Sequence, residues 1–403
     1  MTFDLYLTHE ATGLLDLPDP APGDPIDFHR SLPGYRVTPL LDVPDVASRV
    51  GVARVLVKDE SERLGLPAFK MLGASWATAR AIQREWLPEL RELTIDALRT
   101  ALGSTSGRRL AAATDGNHGR GVARMAKMLG LGATIFVPAG MAAARIGDIE
   151  SEGAEVIVVD GSYDDAIIRS AQESSDLVLV ISDTSWEGYT QTPTDVILGY
   201  STMFTEIDDV LEANGQRNPD VVLLQSGVGA FAAAGLRHFR APARDHPSRG
   251  IIVEPTHADC LLRSARAGVI AEAPGPHDST MAGLNCGLPS ALAWPIVKSA
   301  AGAYISIDDE HAHAAMRLLA DNGIVAGESG AAGLAALLAT LGAEDARAGL
   351  GIRPDSVVLV INTEGATDPV NYANRVGVPA ATVLAESLER RRSTGVLQVG
   401  GIE

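Results

Sequence analysis

The sequence predicts an α/β protein with open, twisted, mostly parallel sheets covered by helices, and two observations carry that reading. Short β-branched runs alternate with longer helical patterns over nearly all 403 residues, the order from which parallel sheets are built. Three of the runs, Val221-Val222-Leu223-Leu224, Ile251-Ile252-Val253 and Val357-Val358-Leu359-Val360-Ile361, show no polar alternation, as strands buried on both faces require.

In chain order, the opening segment through Pro18-Asp19-Pro20-Ala21-Pro22-Gly23 is Pro-rich and polar, and reads as an irregular arm over the surface. Val52–Val57 reads as a strand and Gly73–Trp86 as a helix. Further strands are expected at Leu110–Thr114, Ala133–Val137, Val156–Val159 and Leu177–Ile181, with helices over 118–129, 142–152 and 163–175 between them. No repeat of fixed period and no low-complexity tract interrupts the pattern.

Composition narrows the function classes. Hydrophobic residues make up 46% and charged residues 21%, a globular composition with length enough for two or three domains. Lys and Arg number 33 against 51 Asp and Glu, a net charge of 33 − 51 = −18 that disfavours a nucleic-acid partner. No uninterrupted apolar stretch of about 18 residues exists, so no membrane span is expected. Met1-Thr2-Phe3-Asp4 lacks a basic, apolar leader, which points to a cytoplasmic protein. Two cysteines cannot form a disulfide framework.

Ligands of open parallel sheets sit beyond the carboxyl ends of the strands, so the turns after strands are the candidate sites. The first is Ala68-Phe69-Lys70-Met71-Leu72-Gly73. Apolar flanks would desolvate the Lys70 amine, lower its pKa and make it a nucleophile able to form a Schiff base. A lone lysine there also reads as a snorkelling surface side chain. The second is Ala113-Thr114-Asp115-Gly116-Asn117-His118-Gly119, a strand end, tight turn and helix start. Its glycines permit close backbone approach and its helix start offers N–H groups to an anion. It holds more polar residues than an ordinary N-cap needs.

The third candidate is Gln225-Ser226-Gly227-Val228-Gly229-Ala230-Phe231-Ala232, which satisfies G-x-G-x-x-A and is followed by Glu254 at the end of the next strand. It reads either as a dinucleotide fingerprint with a ribose-binding acid or as a phosphate-binding turn at a helix N-terminus. No G-x-x-x-x-G-K-[ST] loop is present. The turns Asn362–Pro369 and Ser182–Tyr189 also follow strands, and each alone would pass as a loop. Gly327-Glu328-Ser329-Gly330-Ala331 reads as a helix cap. His257, Asp259 and Cys260 lie close together without the second spaced pair of a structural zinc site, so no metal is expected. Cys260 and Cys286 read as buried thiols or as one pair, and spacing leaves both open.

Taken in order, these motifs resemble the fold-type II pyridoxal-phosphate (PLP) enzymes, and more closely the diaminopropionate ammonia-lyase family. The resemblance rests on Lys58-Asp59-Glu60-Ser61, the Lys70 segment, the Thr114–Gly119 turn and Asp183-Thr184-Ser185-Trp186-Glu187-Gly188-Tyr189. It continues through Ile252-Val253-Glu254-Pro255, Met281-Ala282-Gly283-Leu284, Gly327-Glu328-Ser329-Gly330 and Thr363-Glu364-Gly365-Ala366-Thr367-Asp368. Asp115 and the Asp183–Tyr189 segment set this pattern apart from serine/threonine dehydratases.

The resemblance implies roles. Lys70 would carry PLP as a Schiff base and act as a base at Cα. Asn117 would hydrogen-bond the cofactor's phenolic oxygen, Gly227, Val228, Gly229 and Ala230 would bind its phosphate, and Thr363 would meet its pyridine nitrogen. Thr114, Asp115, Gly116 and His118 would receive the substrate carboxylate, with Asp115 facing Cα opposite Lys70 so that both L and D substrates lose a proton. Asp183 would recognise the β-ammonium or pass a proton to the leaving amine. The implied activity is β-elimination from 2,3-diaminopropionate to pyruvate and two ammonia, within amino acid catabolism. Also implied are a homodimer and a small domain over 74–192 inserted into a large domain formed by 1–73 and 193–403, with the cofactor in the cleft. The phosphate loop continues as Ala230-Phe231-Ala232-Ala233-Ala234, poorer in glycine than the family pattern, and Ala74 and Trp76 follow Lys70. The nearest alternative is a serine/threonine dehydratase or β-replacement synthase with the same cofactor. An NAD-dependent oxidoreductase would use the glycine loop and Glu254 but leaves Lys70 and the Asp115–Gly119 turn unexplained.

Overall fold

The computed structural model describes residues 3–8, 17, 23–103, 107–114 and 116–394, with side chains to 387. The chain divides into two units, one of Met1–Asp16, Val37–Glu62 and Met203–Glu403, the other of Leu17–Arg36 and Arg63–Thr202.

The first unit is built on a seven-stranded sheet in the order β1-β10-β9-β8-β11-β3-β2. Its strands are β1 (Phe3–Leu7), β2 (Leu40–Asp42), β3 (Arg54–Asp59), β8 (Val221–Gln225), β9 (Arg249–Pro255), β10 (Ala303–Ile307) and β11 (Val357–Asn362). The five inner strands run parallel, and the edge strands β1 and β2 are antiparallel to their neighbours. The three unbroken apolar runs are the inner strands β8, β9 and β11, and their valines, leucines and isoleucines are buried apart from the half-buried Val357.

The second unit holds a four-stranded, all-parallel sheet in the order β6-β5-β4-β7, from β4 (Arg109–Ala113), β5 (Gly132–Pro138), β6 (Glu155–Val159) and β7 (Val178–Val180). Helices Asn117–Leu129, Ala143–Ser151 and Tyr163–Ala171 alternate with these strands as the periodicity predicts.

Two expectations differ from the structure. The opening residues include a strand: β1 pairs with β10, turning Phe3, Leu5 and Leu7 toward the core while Asp4 meets Arg266 in two 2.6 Å contacts. Five residues of apolar–polar alternation are too few to stand out beside a proline-rich stretch, whose residues 9–16 and 18–22 lie outside the described ones. The unit boundaries also fall elsewhere. Residues 17–36, 63–73 and 193–202 go with the second unit. Phe28 packs on Trp76 at 5.8 Å, and the buried His29 ring bonds both Thr202 Oγ1, 2.7 Å away, and Leu72 O, 3.0 Å away. Lys70 therefore belongs to the second unit.

Near the end of β3 the first unit buries charge. Lys58 Nζ donates to Glu206 Oε2 at 2.6 Å and to Thr38 O at 2.8 Å, while Thr38 Oγ1 donates to Glu60 Oε1 at 2.5 Å. Lys58, Glu60 and Glu206 are all fully buried. Removing one member of such a set leaves an uncompensated charge in the core, at a cost of about 3–5 kcal/mol. Lys58→Met should lower the stability measured by equilibrium denaturation by about that amount.

Among the described residues no helix is long and apolar enough to cross a membrane.

Candidate active site

In the second unit, Lys70 is the residue from which the helix Met71–Glu85 starts. Its amine is not isolated among apolar side chains, as its neighbours in sequence suggest. Lys70 Nζ donates to Asp183 Oδ2 at 2.7 Å, and Asp183 Oδ1 accepts from the Tyr163 hydroxyl at 3.0 Å. Asp183 is 3% exposed. Burial alone would raise its pKa, but the charges of Lys70 and His118 and the bonds from Lys70 and Tyr163 outweigh it and hold the carboxyl well below the usual range. Phe69, beside Lys70, packs against Tyr200 at 4.8 Å.

The segment that carries Asp183 is fastened from two sides. The Tyr189 hydroxyl donates to Val180 O at 2.6 Å and accepts from Ser182 N at 3.1 Å. Burial pushes this phenol up to about 12, so it remains a donor. The buried His118 places Nε2 2.8 Å from Ile181 O. A carbonyl can only accept, so Nε2 carries the proton. His118 Nδ1 is buried with no hydrogen-bond partner.

The turn after β4 is organised by Thr114, whose Oγ1 accepts from both Gly116 N and Gly119 N at 2.9 Å. Thr114 thus shapes the turn from inside. A Cβ at Gly119 would lie 2.5 Å from Thr114 Cγ2 and 2.7 Å from Ile135 Cγ2, so only glycine lets the helix approach the strand this closely. Asn117 opens that helix. Asp115 lies outside the described residues.

In the first unit, Gln225 ends β8 and the helix Ala230–Phe239 begins five residues later. Its N-cap, Gly229, has φ +104°, a conformation glycine favours, and no side chain caps the helix. The helix N–H groups at Gly227–Ala230 suit an anion. Thr363 follows β11, and the start of helix Glu328–Ala339 is tied to the same turn through Gly327 N and Glu364 O at 2.9 Å. Gly327 is the N-cap and Glu328 accepts from Asn371 Nδ2, in keeping with a cap.

Comparison with known proteins decides the family. A model described as "Pyridoxal-phosphate dependent enzyme" matches residues 32–364. The diaminopropionate ammonia-lyase of Escherichia coli K12 is 41% identical over 354 residues, 86% of this chain and 88% of that one. The Salmonella typhimurium enzyme of the same name is 36% identical over 369 residues, 87% of this chain and 90% of that one. The crystal structure of the Escherichia coli enzyme in complex with D-serine superposes with a TM-score of 0.84 at 37% identity, covering 93% of this chain and 97% of that one.

The chain belongs to the diaminopropionate ammonia-lyase family.

Its fold is therefore fold type II and its cofactor is PLP. The residues present fit that cofactor: a lysine amine held beside a carboxylate, an uncapped helix start for a phosphate, and a hydroxyl on the turn after β11. The dinucleotide reading of the glycine loop is set aside, because Glu254 has other work in a member of this family. It is fully buried and accepts from Leu261 N and Leu262 N, each at 2.8 Å, at the start of helix Cys260–Ala267. Cys260 and Cys286 are both buried and form no disulfide. His257 pairs with Asp278 and Asp259 with Arg263, and no group of three metal-ligating side chains is assembled among the described residues.

Sequence reasoning missed Tyr163, because a tyrosine one residue after the N-cap Ser162 carries no local sign of reaching a strand end 20 residues on. It named Asp183 but not its pairing with Lys70, for the same reason.

Burial pushes the Glu254 carboxyl up to about 8, against the two N–H bonds that favour its charged form. A group that binds its proton more tightly folded than unfolded makes stability fall as pH rises between its two pKa values. Denaturation midpoints of this family member should therefore decline between about pH 5 and 8, by at most about 1.4 kcal/mol per unit, and Glu254→Gln should flatten that decline.

Proposed function

We propose that the chain catalyses α,β-elimination of both enantiomers of 2,3-diaminopropionate, forming pyruvate and two ammonia. The arrangement that carries the reading is Lys70 beside the buried carboxylate of Asp183, itself held by Tyr163. Lys70 would hold PLP through its amine, Asn117 would bond its phenolic oxygen, the N–H groups of Gly227, Val228, Gly229 and Ala230 would take its phosphate, and Thr363 its ring nitrogen. When bound, the cofactor supplies the electron sink that makes the Cα–H bond acidic.

The chain's own groups account for the remaining steps. Lys70 Nζ takes up the Cα proton of the L substrate, and Asp115, on the opposite face, that of the D substrate. The turn built around the Thr114 hydroxyl, with Gly116 and His118, positions the substrate carboxylate. Electrons from the broken Cα–H bond form the Cα–Cβ double bond, and the Cβ–N bond breaks. A β-ammonium needs no added proton to leave as ammonia. The strongly depressed pKa of Asp183 makes it an anion at neutral pH, which favours recognition of that ammonium over proton donation. The enamine product tautomerises to an imine and hydrolyses to pyruvate and the second ammonia.

A serine dehydratase would have no use for a buried anion at the β position, because a β-hydroxyl carries no charge. A homodimer in the cytoplasm, serving amino acid catabolism, completes the reading, and light scattering of the purified holoenzyme tests the dimer.

Lys70→Ala should abolish pyruvate release from either enantiomer and remove the borohydride-reducible link to the cofactor. Asp183→Asn should lower kcat/KM for 2,3-diaminopropionate by about 10- to 100-fold, the worth of one charge-assisted hydrogen bond, with a smaller effect on serine. Equal losses on the two substrates would overturn the role given to Asp183.

A further inference from the structure

Where the inner strands of the seven-stranded sheet begin, the first unit holds a cavity of about 380 Å3. Arg240, His246, Arg249 and Arg353 line it, with Thr8 and Asp220. Asp220 stands just before β8, Arg249 opens β9 and Gly302 precedes β10. A parallel strand rises about 3.3 Å per residue, so the length of β8 puts roughly 17 Å between this cavity and the glycine loop. Asp220 is already fully used. It accepts from both Arg217 amino groups, at 2.7 and 3.0 Å, and from Val357 N at 2.8 Å, and it lies 3.1 Å from His246 Nε2. Arg353 pairs with Asp355 at 3.0 Å. Arg249 is clamped, its Nη2 donating to Gly302 O at 2.7 Å. A Cβ at Gly302 would lie 2.8 Å from Arg249 Cγ, and one at Gly351 3.1 Å from its Cδ. Its Nε is buried with no hydrogen-bond partner, and among the described residues no carboxylate pairs with Arg249 or with Arg240. Burial holds the Arg249 pKa below its ordinary value, and the charge of Arg240 lowers it further. Two cations thus line one cavity and repel each other.

We propose that this cavity is a second anion site, which binds a phosphate dianion, free or as a phosphate monoester, between Arg240 and Arg249. With Arg217 matched by Asp220 and Arg353 by Asp355, Arg240 and Arg249 leave two positive charges uncompensated, the number a dianion neutralises. Guanidinium forks match phosphate oxygens two at a time. The clamp on Arg249 fixes its fork before any ligand arrives, so little ordering is lost on binding. The cavity falls within the size range of small-molecule sites, with room beyond a phosphate for the group an ester carries. Arg240 is the C-cap of the helix Ala230–Phe239, and Arg249 is the first residue of the strand after it. A phosphate held by both ties the end of that crossover helix to the start of β9 and cancels their repulsion. Occupancy therefore stabilises the first unit from the edge of the sheet away from the cofactor's phosphate. Neither arginine takes part in the chemistry given to Lys70, Asp115 or Asp183.

The test uses holoenzyme, in which the cofactor already fills its own phosphate cradle. Inorganic phosphate and, separately, AMP as a phosphate monoester are titrated by calorimetry at constant ionic strength into wild type, Arg240→Gln and Arg249→Gln. Wild type should take up one ligand per chain. Each variant should bind it about 10- to 100-fold more weakly, the worth of one charge-assisted hydrogen bond. The thermal midpoint of wild type should rise in phosphate relative to chloride, and that of Arg240→Gln should rise less at the same concentration. The Arg240 side chain makes no hydrogen bond among the described residues, so Arg240→Gln keeps the test decisive if Arg249→Gln, which loses the bond to Gly302 O, does not fold. The absorbance of the bound cofactor should be the same in Arg240→Gln and wild type, which separates loss of this phosphate from loss of PLP. Tighter binding of AMP assigns the site to an ester, and tighter binding of inorganic phosphate to the free ion. No saturable uptake by wild type, or equal affinity in wild type and Arg240→Gln, would overturn the proposal.

Discussion

A parallel strand buried on both faces can carry no polar chemistry along its length, because every side chain must be apolar or fully bonded. That constraint governs this protein. Polar groups gather where the strands stop, at Thr114 after β4, Asp183 after β7, Gln225 at the end of β8 and Thr363 after β11. At Thr114 and Gln225 the side chain also bonds backbone groups around the strand end, a double use that Asp183, bonded to the side chains of Lys70 and Tyr163, does not share.

Thr114 shows the double use at its simplest. Its hydroxyl accepts two backbone N–H groups and so fixes the turn, and Gly119 brings the helix near enough for one of those bonds to form. Tyr189 and His118 do the same for the Asp183 segment, by bonds to Val180 O and Ile181 O. Asp183 is thus a buried carboxylate on a firmly held backbone, its charge sustained by Lys70 and Tyr163 rather than by solvent. An anion placed there selects for a cation, and the substrate class of the family carries one at its β position. Specificity in this reading is electrostatic, and the reaction type follows from the cofactor.

Acidity elsewhere has a different basis. The net charge of −18 is spread over the chain, whereas Lys58, Glu60 and Glu206 are sealed in the core of the first unit with Thr38 between them. Surface charge of this kind favours solubility. The buried set makes one arrangement of strand and helix much better than its neighbours, since any shift would strand a charge without a partner.

The sequence by itself determined the fold class and, through the resemblance its motifs carry in order, the cofactor, because those motifs are written locally. An unbroken apolar run reports a strand buried on both faces, whereas the lysine and the glycine turn, each open to a second reading when taken alone, gain meaning from their order along the chain. The edge strand β1 escaped notice, since five alternating residues are a weak signal, and the unit boundaries moved because Phe28 and His29 bind across to Trp76, Leu72 and Thr202. Only the tertiary structure decided that Lys70 is paired with Asp183, that Tyr163 completes the pair, that Glu254 caps a helix, and that Gln225 and Thr363 meet. Those facts join residues up to 138 positions apart. Hydrogen-bond direction and carboxylate charge depend on what stands within about 3 Å, and adjacency of that kind is created by folding.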